Sequence, residues 1–593
     1  MDGALTFSNW TPICFQFRAP FLHRHSNFQA RRQVWPTFSP NCQLHQQLST
    51  FNPKPPPTSS LQLSRTSSST QRHMPHDYIQ LYNRSQRDMS YSSSFVHKFL
   101  NQLQHHQQRN PTATRWDLPR YDATDEADQQ VIISRSTPHA FQLGTGASIF
   151  TGTLIPAIIS ARSEVVFVTC FWAPSKTLSA ITDALVKLAN HRRLLPNHQE
   201  IEPLTVKICF SSRSIFQKLL HPQSHDGYTY SPAEWQKKLG LPDPALLEEA
   251  GIHLRVKSLF FLPFSVMHPK FVIIDRQRAF IPSCNVSWEP WLEGCVEITG
   301  DAVNSLMSFY ALTWEKHLDF GKPLPTIHSS RMSELQDQLL DPQDLIFVPS
   351  SAHHLVHPAT SSEPLPTLVL PSSHHRNPQF RFFPWQQAAK PPATPLNVAM
   401  LELFEQARRS IYLQTPNLTC EPVIAALLDA LKRGVDVTIV TGRNMMLLEQ
   451  LVTAGTTTSW CLRSLVRRFE KLRTHAARDL ESGDPGLGHL RISYFQPRSA
   501  TKAGKRGSQA RTVNDAQMQG PEEEEPVHSH LKLTIVDREF TVLGSGNMDR
   551  ASWYTSQELG ILFHDPDFAE SVREGVDLVL NQRLSLVFDS GHN

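Results

Sequence analysis

Two short stretches of the chain carry the same polar residues at the same spacing. They are HPKFVIIDRQRAFIPSCN, residues 268–285, and HLKLTIVDREFTVLGSGN, residues 530–547. The shared positions are His268, Lys270, Asp275, Ser283 and Asn285 in the first stretch and His530, Lys532, Asp537, Ser545 and Asn547 in the second. An H-x-K-x4-D pattern that occurs twice, each time followed by S-x-N at the same offset, indicates an internal repeat with one chemical purpose.

These residue types suit the chemistry of a phosphodiester. A neutral imidazole can attack phosphorus and form a phosphohistidine, which splits one difficult displacement into two. A second, protonated imidazole can protonate the leaving alkoxide and then deprotonate the incoming water or alcohol. Lys270 and Lys532, with the serine and asparagine side chains, would hold the phosphoryl oxygens while charge builds in the transition state. This reaction calls for no metal and no other cofactor.

The repeat must hold these side chains on strands. Residues two apart on a strand share a face, so His268 and Lys270 are predicted to point the same way. Polar breaks after each apolar run predict hairpins that turn just after Asp275 and Asp537. A hairpin centred there would place Asn285 opposite His268, within side-chain reach. The aspartates lie at an odd offset and at the turn, so we expect them to brace the hairpins.

The paired motifs resemble those of the phospholipase D superfamily, and GSGNMDRASWYTSQELGILF (544–563) is most similar to its cardiolipin synthase-like branch. The resemblance covers roughly residues 140–320 and 366–570. It implies a phosphatidyltransferase or phosphodiesterase that acts on phospholipids, with His268 as nucleophile and His530 as acid and base; the reverse assignment stays open. Glutamates orient the catalytic histidines in such enzymes. Glu297 and Glu558, 12 and 11 residues beyond the motif asparagines, are the candidates.

The fold class predicted is α/β, because short apolar strands alternate with helical stretches in a pattern typical of a largely parallel sheet. We expect two phospholipase D-like α/β lobes related by a pseudo-twofold axis, with a shared active site at their interface. The predicted parts are a disordered region 1–130, a first lobe 131–320, a linker 321–365 and a second lobe 366–593 with a disordered insertion at 501–526.

Composition bears on where the chain acts. The first 75 residues carry seven Arg or Lys and a single acid, Asp2, which is typical of a mitochondrial transit peptide. A disordered tail, or a start at Met74, are the alternatives. No run approaches the 18 or more apolar residues of a membrane-spanning helix, and the net charge of +3 creates no strong field towards nucleic acid. The eight cysteines show no C-x-x-C pair and are predicted to be reduced thiols.

Two segments bear on the substrate. The helix-periodic stretch 461–480 is basic and amphipathic, which indicates either peripheral contact with anionic lipid or a domain helix with a solvated face. The apolar run 259–267 leads into His268 and could offer an acyl-chain surface, although a buried strand is the simpler interpretation. A metal-independent nuclease and a non-catalytic lipid-binding scaffold are the alternative functions. The sequence leaves the oligomeric state open.

Overall fold

The computed structural model describes residues 94–109, 119, 121–194, 202–214, 217, 227–261, 265–315, 347–358, 363–373, 390–476, 486–498 and 523–591. The described helices are Ser94–Arg109, Glu126–Ile132, Gly146–Ile149, Ile155–Ile159, Lys176–Leu194, Pro232–Glu234, Pro244–Glu249, Asp301–Trp314, Pro395–Gln406, Glu421–Lys432, Leu447–Ala454, Thr458–Ala476, Arg550–Tyr554 and Pro566–Leu580, with π-helical turns at Phe150–Leu154 and Trp235–Leu239.

The strands alternate with these helices along the chain. Those of the first half are Ile133–Thr145, Glu164–Phe171, Leu204–Ser212, Tyr228–Tyr230, Ile252–Ser258, Phe260–Phe261, Ser265–Val266, Phe271–Ile274, Arg278–Pro282 and Trp291–Thr299. Those that follow are His354–Val356, Leu365–Ser372, Ser410–Thr415, Asp436–Thr441, Leu490–Phe495, His528–Ser529, Leu533–Val536, Phe540–Gly544, Glu558–His564 and Leu584–Asp589. The α/β class predicted from the sequence is confirmed.

Each half builds its sheet in the same way. In the first half Glu164–Phe171 runs parallel to Leu204–Ser212 and antiparallel to Phe271–Ile274, the first strand of the motif hairpin. In the second half Ser410–Thr415 runs parallel to Asp436–Thr441 and antiparallel to Leu533–Val536. Antiparallel pairs nevertheless outnumber parallel ones among the described strands, so the sheet is mixed. The expectation of a largely parallel sheet was wrong, because each half adds an antiparallel hairpin and return strand to its parallel core.

Alternate side chains of the strand Glu164–Phe171 pack into two different apolar cores. Val165 and Phe167 face a core that includes the helices Ile155–Ile159 and Lys176–Leu194. Val166 and Val168, on the other face, join a larger core that continues into the second half. Burial on both faces explains the unbroken apolar run in these strands.

One strand connects the sheets of the two halves. The N-terminal part of Ile133–Thr145 pairs with Leu365–Ser372, and its longer C-terminal part pairs with Trp291–Thr299. A short parallel pairing of Trp291 with His528 adds a second connection. The described residues of both halves accordingly fall in one compact unit. The pseudo-twofold relation between lobes stays a prediction.

The motif aspartates brace their hairpins. The carboxylate of Asp275 accepts hydrogen bonds from the backbone N–H groups of Arg162, Ser163 and Glu164 at 2.8–3.1 Å. Asp537 accepts the corresponding bonds from residues 408–410 at 2.7–3.2 Å. Each aspartate therefore anchors the hairpin turn to the start of the neighbouring strand.

The hairpin register differs by one residue from the sequence prediction. Val272 pairs with Phe280 instead of Ile281, and Leu533 pairs with Leu543 instead of Gly544. The turn begins at the aspartate itself, since Asp275 and Asp537 have φ of 51° and 56°. The first hairpin's ladder ends at Val272, so strand pairing does not place Asn285 opposite His268.

Two predicted irregular regions contain ordered elements. The helix Ser94–Arg109 lies inside the region predicted to be disordered, and it buries Phe95, Phe99 and Leu103 against the helix Pro395–Gln406. Their spacing of four residues is the apolar stripe of a helix, which the sequence analysis overlooked. The strand His354–Val356 lies inside the predicted linker and pairs with Ile133–Thr145. The predicted transit peptide and residues 501–522 of the predicted insertion lie outside the described residues.

Replacing Asp537 by alanine should lower the free energy of unfolding by about 2–3 kcal/mol, because the backbone N–H groups of three residues lose their acceptor. Urea unfolding followed by tryptophan fluorescence measures the change. Asp429→Ala is the matched control, because Asp429 lies on the helix Glu421–Lys432 with an exposed ion pair and should cost no more than about 0.5 kcal/mol. Equal losses in the two variants would contradict the bracing role.

Candidate active site

Main-chain contacts tie each motif histidine to the opposite half. The backbone N–H of His268 donates to the carbonyl of Gln557 at 3.0 Å, and that of His530 donates to the carbonyl of Leu292 at 2.8 Å. Gln557 and Leu292 immediately precede a glutamate, Glu558 and Glu293 respectively. The backbone thus delivers a carboxylate from one half to the imidazole of the other.

The two His–Glu pairs are crossed between the halves. Nδ1 of His268 lies 2.8 Å from Oε2 of Glu558, and Nδ1 of His530 lies 2.7 Å from Oε1 of Glu293. A carboxylate at Nδ1 fixes the proton of a neutral imidazole on that nitrogen and leaves Nε2 as the basic atom. Each half therefore orients the histidine of the other half.

Serine hydroxyls hold both glutamates. Ser283 donates to Glu293 and Ser545 donates to Glu558 at 2.6 Å, while Ser552 donates to the second oxygen of Glu558 at 2.7 Å. The motif serines also accept hydrogen bonds from the backbone N–H groups of Gly294 and Leu559. Their hydroxyls are thus engaged in positioning the carboxylates, which corrects the expectation that they hold the phosphoryl oxygens.

The motif lysines are buried beside the imidazoles. Nζ of Lys532 lies 2.8 Å from Nε2 of His530, and Nζ of Lys270 donates to the backbone carbonyl of His268 at 2.9 Å. The side chains are 2–4% exposed. Two buried lysines, one beside the basic atom of an imidazole and one at the backbone of the other motif histidine, make a site that favours an anion.

Burial and the lysine charges keep the imidazoles neutral. Burial lowers the pKa of His530 to about 3, with a further contribution from Lys532 and Lys270, although Glu293 opposes it. The pKa of His268 is lowered for the same main reason, burial. Both lysines thus act on both histidines, which places all four groups in one electrostatic site.

The glutamates are ionised and one lysine is easily deprotonated. Burial alone would raise the pKa of Glu293 and Glu558, but the imidazoles and hydroxyls bonded to them outweigh it, and both pKa values lie below the ordinary range. Burial lowers the pKa of Lys532 to about 7 despite the nearby Glu293. The Lys532–His530 pair therefore gains or loses a proton near neutral pH.

The two histidines differ in solvent exposure. The side chain of His268 is 14% exposed, whereas that of His530 is 3% exposed and its ring packs against Trp291 with centroids 4.9 Å apart. Nε2 of His530 is moreover covered by Lys532. His268 is consequently the more accessible imidazole for an incoming phosphorus atom.

The motif asparagines occupy different environments. Nδ2 of Asn547 donates to Asp549 at 3.1 Å, and its Oδ1 is buried without a hydrogen-bond partner among the described residues. Oδ1 of Asn285 accepts from the backbone N–H of Phe171 at 3.3 Å. Burial raises the pKa of Asp549 above its ordinary value. Neither asparagine contacts a motif histidine in the described structure.

The structure corrects the prediction for Glu297. This residue forms an ion pair with Arg278 at 2.7 Å, near the hairpin turn, and Glu293 occupies the position beside the histidine. Glu297 is four residues further along the strand, roughly 13 Å at 3.3 Å per residue. Counting from the motif asparagines misled the prediction, because the second half inserts the helix Arg550–Tyr554 before its glutamate.

Sequence reasoning missed four residues near the site: Glu293, Ser552, Asp549 and Trp291. Glu293 carried a usable signal, since a carboxylate inside an apolar strand needs a partner. The others have no sequence signature of their own. In the apolar run 259–267, Leu259, Phe260, Phe261 and Met267 are buried, which agrees with the simpler interpretation of this run as buried strand and not with an acyl-chain surface.

Further features bear on the sequence predictions. Within the described ranges no cluster of three or more His, Cys, Asp or Glu side chains is arranged to hold a metal ion, and six cysteines carry free thiols. None of the helices described above is long and apolar enough to cross a membrane.

Comparison with known proteins identifies the second half. Residues 400–577 match the family described as "Cardiolipin synthase, PLD-like domain". Residues 400–577 form a phospholipase D-like domain. Over residues 400–577 this match confirms the predicted phospholipase D superfamily and, with it, the prediction of an enzyme domain. Comparison with curated proteins finds no match.

Solved structures overlap the chain loosely. Phosphatidylserine synthase from Haemophilus influenzae Rd KW20 is 15% identical with a TM-score of 0.42, over 78% of this chain and 90% of that one. Polyphosphate kinase from Porphyromonas gingivalis is 12% identical with a TM-score of 0.35, over 74% and 47%. The phospholipase D family member Nuc from Salmonella typhimurium is 19% identical with a TM-score of 0.20, over 33% and 91%. At these TM-scores the overlaps do not add to the family match.

The crossed pairs predict which glutamate is needed for turnover. Glu293→Gln should lower the turnover of a chromogenic phosphodiester roughly 10²- to 10⁴-fold, because His530 loses the acceptor that fixes its tautomer. Glu297→Gln is the matched control on the same strand and should stay within about twofold, as its partner Arg278 lies near the hairpin turn. A larger loss in Glu297→Gln than in Glu293→Gln would refute the assignment.

Proposed function

We propose that the protein is a phospholipase D-type phosphatidyltransferase that acts on phospholipids through a phosphohistidine intermediate. The observation that carries the proposal is the crossed arrangement, in which each motif histidine is oriented by the glutamate of the other half and flanked by a buried lysine. Catalysis by two imidazoles needs both a carboxylate that orients each ring and nearby positive charge that stabilises the phosphoryl oxygens. The name of the matching family, a cardiolipin synthase-like domain, supports a phospholipid substrate.

In the first step Nε2 of His268 attacks the phosphorus and the bond from phosphorus to the leaving alkoxide breaks. The proton on Nε2 of protonated His530 moves to that alkoxide oxygen. Lys270 and Lys532 neutralise charge on the non-bridging oxygens as it develops. The greater exposure of His268 supports its role as nucleophile, and the burial of His530 supports its role as proton carrier.

In the second step an acceptor alcohol, or water, gives its proton to Nε2 of His530 while its oxygen bonds to phosphorus. The bond between phosphorus and Nε2 of His268 breaks, and both imidazoles return to their starting state. An alcohol acceptor yields a new phosphatidyl ester, and water yields a phosphatidic acid. The same site therefore supports transfer and hydrolysis, and the acceptor decides between them.

Substrate binding drives His530 to take up from solvent the proton that the first step needs. The neutral imidazole of His530 has a pKa of about 3 in the free site. A phosphodiester anion brought next to it raises that pKa, because a nearby negative charge favours the imidazolium. Lys532 can turn from Nε2 towards a phosphoryl oxygen at the same moment, which uncovers the atom that must carry the proton.

Transfer to an alcohol tests the proposal directly. Phosphatidylglycerol incubated with the purified protein and a primary alcohol should yield a phosphatidyl-alcohol, because the phosphohistidine reacts with any alcohol that reaches it. His268→Ala should lose nearly all product, which is measured by mass spectrometry of the lipids. His564→Ala is the matched control, since His564 pairs with Glu539 on the surface.

Parallel reactions with single- and double-stranded DNA distinguish the nuclease alternative. Cleavage of DNA without lipid product would show that the substrate is a nucleic acid. Absence of both products from a correctly folded protein would favour a non-catalytic lipid-binding scaffold. A trapped phosphoryl adduct on His530 would reverse the two histidine roles.

The pH dependence of catalysis should follow the protonation of the Lys532–His530 pair. Lys532 has a pKa of about 7 in the free site, so its ammonium is present below that pH and lost above it. The value of kcat/KM should therefore fall as pH rises through about 7, whereas kcat should hold to higher pH, because bound phosphate raises the pKa of Lys532. In Lys532→Arg the alkaline fall should move well above pH 7, since a guanidinium stays charged. An unchanged alkaline limb would contradict this role.

A further inference from the structure

The helix Leu447–Ala454 turns its apolar residues towards solvent. Leu448 is 77% exposed, Val452 52% and Leu451 45%, and Leu447 is exposed as well. Trp460, early in the next helix, is 55% exposed. These five residues are called the apolar patch below. Contiguous apolar surface of this kind marks an interaction site more often than a single exposed leucine does.

A buried glutamine fixes the orientation of this helix. Gln450 is 3% exposed, and its amide donates to Asn417 at 2.9 Å and accepts from the backbone N–H of Thr458 at 2.6 Å. The helix therefore faces the protein with a polar side chain and faces the solvent with its leucines. The bond to Thr458 also ties the start of the helix Thr458–Ala476, which carries Trp460, to the helix that carries the leucines.

A row of cations continues from the apolar patch. On the helix Thr458–Ala476, Arg463, Arg467 and Lys471 follow Trp460 at intervals of three or four residues, so they share one face. All three cations are exposed. They are called the cationic row below.

The opposite face of this helix is buried in the domain core. Leu462, Leu465 and Phe469 are 0–2% exposed. The apolar face of the helix Thr458–Ala476 is thus unavailable for membrane contact, and of the two sequence interpretations of the stretch 461–480 the described residues fit the domain helix with a solvated face. The exposed apolar residues belong to the preceding helix instead.

The helix that carries most of the apolar patch contacts residues that adjoin the candidate active site. Asn417, which accepts from Gln450, precedes Leu418, and Leu418 pairs with Met548 next to the motif residue Asn547. The helix Leu447–Ala454 also packs against the helix Arg550–Tyr554, which precedes Glu558. A surface that binds here is close to the catalytic side chains.

We propose that the apolar patch and the cationic row together form a docking surface for an anionic phospholipid bilayer, an inference that rests on the proposed phospholipid substrate. Leucines and a valine can enter the boundary between head groups and acyl chains, and a tryptophan suits that boundary. Arginines and a lysine on the adjoining face attract anionic head groups. A second copy of the chain fits less well, because a symmetric contact offers only this same surface, which supplies no anionic groups for the cationic row.

Vesicle binding tests the docking surface with the full chain. Sedimentation with vesicles of phosphatidylcholine plus phosphatidylglycerol, and of phosphatidylcholine alone, measures the partition. The double variant Leu448→Ser with Val452→Ser should bind both kinds about tenfold more weakly, because two exposed apolar side chains no longer enter the lipid. Arg463→Gln with Arg467→Gln should weaken binding only to the anionic vesicles, about fivefold per charge.

Two controls separate docking from folding and from catalysis. Leu578→Ser removes an equally exposed leucine, 61%, from the distant helix Pro566–Leu580 and should leave binding unchanged. All variants should turn over a short-chain phosphatidylglycerol below its micelle concentration at the wild-type rate. Loss of that rate in the patch variants would mean that the patch is structural, and a change of oligomeric state in light scattering would mean that it is a self-interface. Either result would overturn the docking proposal.

The outcomes also separate docking from the proposed function. A wild-type protein that turns over the short-chain lipid but does not bind vesicles would refute the docking surface and leave the function standing. A protein that binds vesicles through the patch but converts no lipid, short-chain or bilayer, would keep the docking surface and refute the function. Binding that is the same in wild type and both double variants would refute the surface.

Discussion

The arrangement of this protein depends on two carboxylates buried between the halves of the chain. A buried carboxylate is costly unless a partner and hydrogen bonds compensate it. Here each one is compensated by an imidazole from the opposite half and by serine hydroxyls from its own. The halves must therefore stay in fixed register, and the strand Ile133–Thr145, which pairs with both sheets, supplies that register.

The charges of the site explain why it is suited to an anion. Below pH 7, where Lys532 is protonated, the carboxylates of Glu293 and Glu558 balance the ammonium groups of Lys270 and Lys532, so the site is close to neutral with both imidazoles uncharged. An arriving phosphodiester upsets this balance by one negative charge. Uptake of a proton by an imidazole restores it, since a neighbouring negative charge stabilises the imidazolium. Binding of the phosphodiester and protonation of the imidazole are therefore electrostatically coupled.

The sequence predicted the parts of the site that depend on local pattern. The spacing of His268 and Lys270, and the offset of Asp275 at the turn, follow from strand geometry alone, and the family match confirms the superfamily for residues 400–577. The crossing of glutamates between halves could not be read from spacing, because it depends on how two distant strands meet. Glu297 was predicted from its offset to Asn285, which misleads because the second half inserts the helix Arg550–Tyr554 before its glutamate. The ordered helix Ser94–Arg109 was missed because its three buried apolar residues lie in a stretch rich in Gln and His, whose composition resembles that of a disordered tail.

The crossed pairs also bear on how such a chain could arise. One half alone contains a histidine and a glutamate that cannot serve each other, since each reaches only into the opposite half. A single half would become functional only as a symmetric dimer, in which two identical copies exchange carboxylates. Duplication and fusion of that ancestor would keep the exchange and free the copies to diverge. The unequal exposure of His268 and His530 is the kind of division of labour that only a fused chain can inherit.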